Sequence, residues 1–278
     1  MNFLPFDVEE WFHSSNFEGV IQQKEWPGYA GRVIPNVRRI LEILDQANVK
    51  ATFFVLGWIA EQFPHLVVEI AQAGHEVGSH GYNHRLIYNQ TPEEFRADIL
   101  RSLNLLKEAG VERVLGYRAP SYTITQRTLW ALEILFDLGF RYDSSVFPIR
   151  FHDRYGIPEA PRRPYLIKSD FVEFPMTALR ILGVSVPIAS GAYFRLTPYL
   201  ITKLAMKWMN GKGFPVTVNI HPWEIDPAQP RIDLPTTSKL RHYTNLDKTE
   251  KRLQQLVKDF EFSKLSDGLE IFSQTNCR

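Results

Sequence analysis

Cysteine is almost absent from this chain of 278 residues, and the single one, Cys277, lies beside the C-terminus. One thiol excludes an internal disulfide framework and argues against cysteine metal ligands. An excess of one charge is also lacking, because 32 lysines and arginines offset 31 aspartates and glutamates. The formal net charge of +1 gives no indication of nucleic acid or an anionic membrane as a partner.

Long apolar runs are missing as well, since none reaches the roughly 18 residues of a membrane-spanning helix. Residues 1–4 lead directly into a candidate strand without a basic or long apolar leader, so we expect no secretory signal and a cytoplasmic protein. With 44% hydrophobic and 23% charged residues, the composition is typical of a globular protein. It does not indicate an oligomeric state.

Strand-like and helix-like segments alternate along most of the chain, which predicts a parallel sheet with crossover helices. We therefore expect an α/β fold, an irregular (β/α) barrel of seven or eight parallel strands, formed as a single domain by residues 1–278. The predicted strands are 2–8, 50–56, 76–79, 114–117, 140–143, 214–220 and 269–272. The predicted helices lie near 37–44, 64–73, 92–109, 125–138, 198–210 and 253–260.

Residues 148–196 interrupt this alternation. They are rich in proline and basic residues, and we expect a long loop or small hairpin inserted over the site. Residues 226–278 begin as a polar, proline-rich stretch and form a separate C-terminal segment of the same domain.

His80 and His84 are the most informative residues. Two imidazoles four residues apart can occupy adjacent positions on one metal ion, although a solvated loop can carry the same pair. They follow the predicted strand 76–79, at the edge where α/β proteins usually place their chemistry. Carboxylates after the first strand and His221 after a later one would converge with them in a barrel.

Several motifs in order along the chain support one resemblance. The run Phe6-Asp7-Val8-Glu9 and the segments 51–57, 74–84, 116–120, 142–145 and 221–226 together resemble a polysaccharide deacetylase of the chitin-oligosaccharide deacetylase homology type. The chain is most similar to the bacterial branch linked to exopolysaccharide assembly, which the tail 240–245 also resembles. The C-terminal segment is then specific to that branch.

This resemblance implies that His80 and His84 bind a divalent metal, with zinc as the expected ion. Many relatives have a second aspartate where this chain has Val8, which cannot coordinate a metal. Because residues two apart on a strand share a face, Glu9 is the expected third ligand, with Glu10 as the reserve candidate.

The resemblance also implies acid–base roles. Asp7 would be the general base, Arg118 would orient it, His221 would be the general acid, and Asp143 would support that histidine. Metal-bound water would then attack an N-acetyl group of an amino-sugar polysaccharide or its precursor.

Three further residues are expected to contact the substrate. The backbone N–H of Ser121 or Tyr122, after Pro120, would hold the oxyanion. Trp223 would contribute a stacking surface for a sugar ring, although a buried aromatic is more often part of a core.

For single residues, purely structural roles remain open as alternatives to catalysis. Asp7 and Arg118 could be a structural ion pair, and His221 a packed core histidine. Two other functions also remain open: a metal-independent C–N hydrolase of small amides or cyclic ureides, and a catalytically silent carbohydrate-binding protein. The substrate is open too, since peptidoglycan, a poly-acetylhexosamine, a lipid-linked precursor and a mixed exopolysaccharide all fit.

Overall fold

The structure is a computed structural model that describes residues 1–150 and 152–276, so Cys277 lies outside the described residues. Its strands are β1 (Asn2–Phe3), β2 (Pro5–Val8), β3 (Thr52–Val55), β4 (Glu76–Ser79), β5 (Gly116–Tyr117), β6 (Tyr142–Asp143), β7 (Tyr165–Lys168), β8 (Phe171–Glu173), β9 (Ala178–Ile181), β10 (Val184–Pro187) and β11 (Phe262–Ser263). Its α-helices are α1 (Val33–Gln46), α2 (Gly57–Gln62), α3 (Pro64–Gln72), α4 (Pro92–Glu108), α5 (Trp130–Asp137), α6 (Gly191–Leu196), α7 (Tyr199–Gly211), α8 (Thr236–Tyr243), α9 (Leu246–Asp259) and α10 (Leu265–Asn276).

The main sheet has seven strands in the order β2-β3-β4-β5-β6-β8-β7. All neighbours are parallel except β7, which runs antiparallel to β8 at one edge. Two smaller pairs complete the strands: β1 lies parallel to β11, and β9 and β10 form an antiparallel hairpin. The expected α/β fold with a largely parallel sheet is confirmed.

Beyond the edge strand β2, an extended segment without regular strand pairing continues the curved wall of the main sheet. Residues 216–220 lie alongside β1 and β2, with hydrogen bonds from Phe3 N to Val216 O (2.8 Å) and from Asp7 N to Ile220 O (3.3 Å). On the other side of this segment, Thr217 N donates to the side-chain oxygen of Thr177 (2.7 Å). The wall thus curves back toward the residues after β8 through isolated bridges, and the predicted strand 214–220 is an extended segment of this kind.

Two sequence predictions are wrong. Residues 148–196 are not only an insertion over the site, because β8 within them is a strand of the main sheet, parallel to β6. Residues 269–272 are not a strand but part of α10, and the last strand is β11. A four-residue apolar run cannot by itself distinguish a strand from one helical turn.

The predicted first residue is right for one helix, α4, and wrong for another, α5. α4 begins as predicted, with the Thr91 hydroxyl accepting from Glu94 N (3.2 Å) and the Glu94 carboxylate accepting from Thr91 N (3.0 Å). α5 begins at Trp130 rather than near Thr125, because the Thr128 hydroxyl accepts from Thr125 N (2.8 Å) and closes a turn before the helix.

Large side chains fill the interior of the curved sheet. Phe54 and Tyr142 lie fully buried there, and a Cβ on Gly78 or Gly116 would come within 2.6 Å of the first or 2.0 Å of the second. Because Gly78 and Gly116 have no side chain, the rings of Phe54 and Tyr142 can pack directly against the strand backbone. The interior is therefore packed, which leaves the carboxyl ends of the strands as the place for a site. No helix in the described part of the chain is long and apolar enough to cross a membrane.

Candidate active site

Strand register brings the predicted ligands to one edge. Val8, Val55, Ser79 and Tyr117 are aligned across β2 to β5, so the residue after each lies one step beyond the same edge. Glu9, His80 and Arg118 occupy three of those next positions. Because side chains alternate along a strand, Asp7 also faces the same side as Glu9.

Glu9, His80 and His84 form a compact group whose potential ligand atoms all lie within 4.8 Å of one another. Glu9 Oε2 is 2.7 Å from His84 Nε2, and both side chains are almost completely buried. The loop that carries His84 is held by Asp98, whose carboxylate accepts from the backbone N–H groups of Tyr82 (2.7 Å) and Asn83 (3.1 Å). His84 itself has φ = 51°, a left-handed backbone that this loop imposes.

The donor set of this group fits a divalent metal. His80 Nδ1 lies 2.8 Å from the carbonyl oxygen of Arg118, which can only accept, so Nδ1 carries the proton and Nε2 keeps its lone pair. Within the described chain, Glu9 Oε2 is buried and makes no hydrogen bond of regular geometry, although His84 Nε2 lies only 2.7 Å away. A cation would satisfy that oxygen, and two imidazoles with one carboxylate are a usual ligand set of catalytic zinc.

The acidity of the same group is set by its surroundings. Burial lowers the pKa of His80 to about 4, which leaves the ring neutral at neutral pH. Burial alone would raise the pKa of Glu9, but the neighbouring His84 outweighs it and holds that pKa well below its usual range. The indole N–H of Trp223 donates to the other oxygen of Glu9 (2.9 Å) and fixes its orientation.

Asp7 is held by two buried partners. Arg118 NH1 donates to its Oδ1 (3.2 Å), and Asn219 Nδ2 donates to its Oδ2 (3.0 Å). Arg118 is itself anchored by the backbone oxygen and hydroxyl of Ser144 (2.8 and 2.7 Å). The structure therefore brings Asp7 and Arg118 together, as the sequence led us to expect, in a fixed arrangement next to the candidate metal ligands.

His221 faces Asp7 from the opposite wall. Its Nε2 lies 3.6 Å from Asp7 Oδ2 and 3.9 Å from Glu9 Oε1, and its Nδ1 lies 2.6 Å from Glu224 Oε1. Burial opposes a charge on this ring, yet the hydrogen bond and negative charge of Glu224 outweigh burial and raise the pKa of His221 to about 9. Glu224 is in turn paired with the buried Arg195, and although burial raises its pKa, Arg195 and His221 lower it to about 2.

The prediction that Asp143 supports His221 is wrong. Asp143 is aligned with Tyr117 across β5 and β6, so it points to the opposite side of the sheet from the site. There its carboxylate accepts from the hydroxyl and N–H of Ser145 (2.7 and 3.1 Å) and lies against Glu173. Glu224 takes the place at the histidine that we had assigned to Asp143.

Glu10, the reserve metal ligand, has a structural position instead. Its carboxylate accepts from Arg32 N (2.7 Å) and Val33 N (2.9 Å), which are free N–H groups at the start of α1. It therefore caps that helix, and Glu9 is the carboxylate of the metal group.

The loop after Arg118 carries the candidate oxyanion donors. Ser121 and Tyr122 both have left-handed backbone, with φ of 49° and 54°. Tyr122 N already donates to Ala119 O (3.0 Å), whereas Ser121 N has no acceptor in residues 1–150 or 152–276. Of the two predicted donors, Ser121 is the one that remains available. Tyr122 instead lies beside Asp7 through its hydroxyl, which accepts from Asn219 Nδ2 (2.6 Å).

These groups open into a cavity of about 360 Å³. Its lining combines Asp7, Glu9, His84 and His221 with hydroxyls, aromatic rings and three arginines: Ser14, Ser15, Ser121, Tyr122, Tyr155, Tyr193, Trp223, Arg154, Arg195 and Arg241. Trp223 is only 4% exposed and lies stacked against the rings of His221 and His242, at centroid distances of 5.1 and 4.3 Å. Its main contacts therefore position Glu9 and His221, and Tyr155 and Tyr193 are further aromatic residues of the lining.

Three functional positions were not assigned from the sequence: Glu224, Arg195 and Asn219. Glu224 had a readable signal, since an acidic residue three after His221 can accept the histidine N–H as in a capping box, and does so at 3.0 Å. Arg195 and Asn219 had none, because their partners are 29 to 212 residues away in the chain.

Two family profiles divide the chain between them. Residues 31–142 match the profile described as polysaccharide deacetylase. Residues 144–270 match a second profile, described as a domain of unknown function (DUF3473).

Among curated proteins, the chain is 40% identical over 101 residues to a peptidoglycan-N-acetylglucosamine deacetylase of Bacillus cereus, a match that covers 34% of this chain and 35% of that protein. It is 32% identical over 127 residues to a peptidoglycan deacetylase of Helicobacter pylori, covering 46% of this chain and 42% of that protein. The chain thus spans well under half the length of these relatives.

Two solved structures resemble the whole chain at low sequence identity. A protein described as a candidate polysaccharide deacetylase of Mycobacterium smegmatis has a TM-score of 0.64 at 19% identity, covering 99% of this chain and 90% of that one. The peptidoglycan deacetylase PdaC of Bacillus subtilis has a TM-score of 0.53 at 15% identity, covering 99% and 92%. At such identities the likeness shows a shared fold.

Proposed function

We propose that this chain, whose residues 31–142 match the polysaccharide deacetylase profile, is a metal-dependent hydrolase that removes N-acetyl groups from an amino-sugar polysaccharide or its precursor. One observation carries the proposal: a metal-type ligand group, a buried carboxylate and a histidine meet at one cavity, with His221 Nε2 only 3.6 Å from Asp7 Oδ2.

Glu9, His80 and His84 would hold the ion, and zinc is the identity we propose for it. A divalent ion at this position would polarise an amide carbonyl and make water a better nucleophile at neutral pH.

Asp7 is placed to act as the general base. Arg118 and Asn219 each donate to one of its oxygens, so the carboxylate is fixed and its lone pairs point into the cavity region shared with His221. A fixed base is effective because no reorganisation precedes the proton transfer.

His221 is placed to act as the general acid. Its Nδ1 is held by Glu224, which leaves Nε2 toward the cavity and favours the protonated ring. An amide nitrogen leaves poorly as an anion, so a proton from Nε2 would assist the departure of the sugar amine. The N–H of Ser121 would hold the developing negative charge on the carbonyl oxygen.

The competing functions have less support. A metal-independent C–N hydrolase leaves unexplained the grouping of the buried Glu9 carboxylate with two imidazoles, whose potential ligand atoms all lie within 4.8 Å of one another. A silent carbohydrate-binding protein has no need for the chain of buried groups that orients Asp7 and His221.

These observations support a class of substrate, a carbohydrate, but do not identify the individual compound. A carbohydrate substrate fits the family, and the named relatives act on peptidoglycan, whereas the tail 240–245 led us to an exopolysaccharide branch. We keep an exopolysaccharide or its precursor as the specific proposal, and a cytoplasmic location as a proposal that fractionation of cells would test.

Acetate release from N-acetylglucosamine oligomers tests the function. The metal-stripped protein should be inactive and should regain activity with about one equivalent of Zn²⁺. His84→Ala should stay inactive under the same conditions, whereas His65→Ala, which changes an exposed histidine of α3, should behave as wild type. Full activity of the His84→Ala protein would overturn the proposal.

A further inference from the structure

The outward face of α7 is apolar. Its exposed residues include Leu200 (64% exposed), Ile201 (54%), Leu204 (58%) and Trp208 (52%). With 3.6 residues per turn, these four side chains fall within an arc of about 100°. About half of the large apolar side chains exposed in the described chain lie between residues 181 and 208, so the patch is concentrated rather than scattered.

The inward face of the same helix already packs on the protein. Thr202, Ala205, Met206 and Met209 are buried, and they occupy the opposite arc. A surface helix normally sets such a buried stripe against a polar outer face. An apolar outer face therefore indicates a second contact that residues 1–150 and 152–276 do not supply.

Charge distinguishes the kinds of partner. Residues 174–223 contain no aspartate or glutamate, although the whole chain is nearly neutral. On α7, Lys203 and Lys207 lie beside the apolar arc, and Lys212 follows the helix. Lys203 is paired with Asp259, but Lys207 and Lys212 are exposed. The net charge of +1 for the whole chain therefore does not describe the local charge of this region.

We propose that the outward face of α7, formed by Leu200, Ile201, Leu204 and Trp208 with Lys207 and Lys212 at its margin, docks on an anionic lipid surface. Exposed leucine and tryptophan beside lysine are the combination that lies at a bilayer interface, with apolar groups among the acyl chains and lysines at the headgroups. A two-fold contact between copies would instead bring Lys207 and Lys212 near their counterparts, and the acid near Lys207, Asp259, is already paired with Lys203.

The docking face leads into the candidate active site. Leu196, at the end of α6, is 48% exposed and also lines the cavity, four residues before Leu200. Docking would thus bring the mouth of the cavity to the lipid surface, which suits a saccharide carried on a lipid. This second step rests on the proposed deacetylase function, whereas docking itself does not.

Vesicle flotation of the full chain tests the docking without any turnover. Wild type should float with vesicles of phosphatidylcholine and phosphatidylglycerol, and weakly or not at all with phosphatidylcholine alone. The double variant Leu204→Ser/Trp208→Ser should bind at least about tenfold more weakly, since each side chain loses contact with the acyl region. Lys207→Glu/Lys212→Glu should weaken binding to the anionic vesicles only.

Leu100→Ser is the matched control, because Leu100 is an exposed leucine of α4 (43%) outside this face, and it should bind as wild type. Absence of flotation for wild type, or equal flotation of all variants, would overturn the proposal. So would a wild-type dimer that Leu204→Ser/Trp208→Ser abolishes while vesicle binding is absent, since the face would then join two copies. Acetate release from a soluble oligomer, measured on the same variants, should be unchanged and reports separately on the deacetylase function.

Discussion

The two halves of the chain contribute to the candidate site in different ways. In the first half, Asp7, Glu9, His80 and Arg118 lie on or directly after regular parallel strands. In the second half, His221 and its supporting groups lie on extended or loop backbone linked by isolated bridges. The division follows the two family profiles, which meet between residues 142 and 144.

This difference shows two ways of fixing a side chain. Strand register alone aligns Glu9 with His80 and Arg118, because parallel neighbours end at one edge. The second half lacks that ladder and relies on Arg195, a buried arginine that pairs with Glu224 and donates to the backbone oxygens of Arg241, His242 (3.1 Å) and Thr244 (2.7 Å). Strand register therefore positions the candidate metal ligands, and the buried Arg195 positions the candidate general acid.

The largest expected effect belongs to the base in the first half. Asp7→Asn should lower kcat for acetate release by about 10²–10⁴-fold, because a carboxamide cannot take the proton. Metal content should stay at the wild-type level, since Asp7 is not one of the grouped ligands. Steady-state assays together with elemental analysis check both points, and near-wild-type turnover would remove Asp7 from the mechanism.

The second-largest effect is expected for Glu224, which supports the candidate general acid His221. Glu224→Gln should lower kcat by about 10²-fold, because His221 loses the negative charge that favours its protonated form. KM should change little, and Glu270→Gln, an exposed glutamate of α10, is the control. A loss confined to KM would show that Glu224 serves substrate binding rather than the proton donor.

The stability of the fold should depend on the buried Arg195 and its contacts. Arg195→Met should lower the free energy of unfolding by about 3–5 kcal/mol, because Glu224 would remain buried with only His221 as a counter-charge. Chemical denaturation measures this. Arg231→Met, which changes an exposed arginine, should cost less than about 0.5 kcal/mol. Equal stability of both variants would contradict the role we give to Arg195.

A smaller effect is expected on the outer side of the sheet. Burial, followed by the charge of Asp143, raises the pKa of Glu173 well above its ordinary value, so the folded protein keeps a proton that the unfolded chain loses. Its stabilising contribution is therefore complete below about pH 4.5 and falls as pH rises, by at most about 1.4 kcal/mol per pH unit for one proton.

Glu173→Gln removes this dependence while keeping a donor for Asp143. Its free energy of unfolding should fall less steeply than that of wild type between pH 5 and pH 8, whereas Glu112→Gln, at an exposed position, should follow wild type. Parallel curves for wild type and Glu173→Gln would show that folding does not raise the pKa of Glu173.

Much of the first half was predictable from the sequence. The alternation of strands and helices, the placement of His80 and His84 after β4 and the choice of Glu9 over Val8 all follow from local patterns, and the family resemblance is confirmed. Asp143 failed because the resemblance gave a role without the strand parity, which places it opposite to Arg118. In the second half His221 was predicted, but its supporting residues Arg195 and Asn219 were not, since they acquire their partners only through distant segments.

One measurement tests most directly whether the first half of the chain binds the metal and the second half donates the proton. It is calorimetry of zinc binding to the metal-stripped Glu9→Gln and Glu224→Gln proteins, carried out side by side. The account predicts one equivalent with wild-type affinity for Glu224→Gln, and affinity lower by at least about 100-fold for Glu9→Gln, which loses a ligand. Wild-type affinity in Glu9→Gln, or loss of zinc in Glu224→Gln, would contradict the assignment of metal binding to the first half of the chain and proton donation to the second.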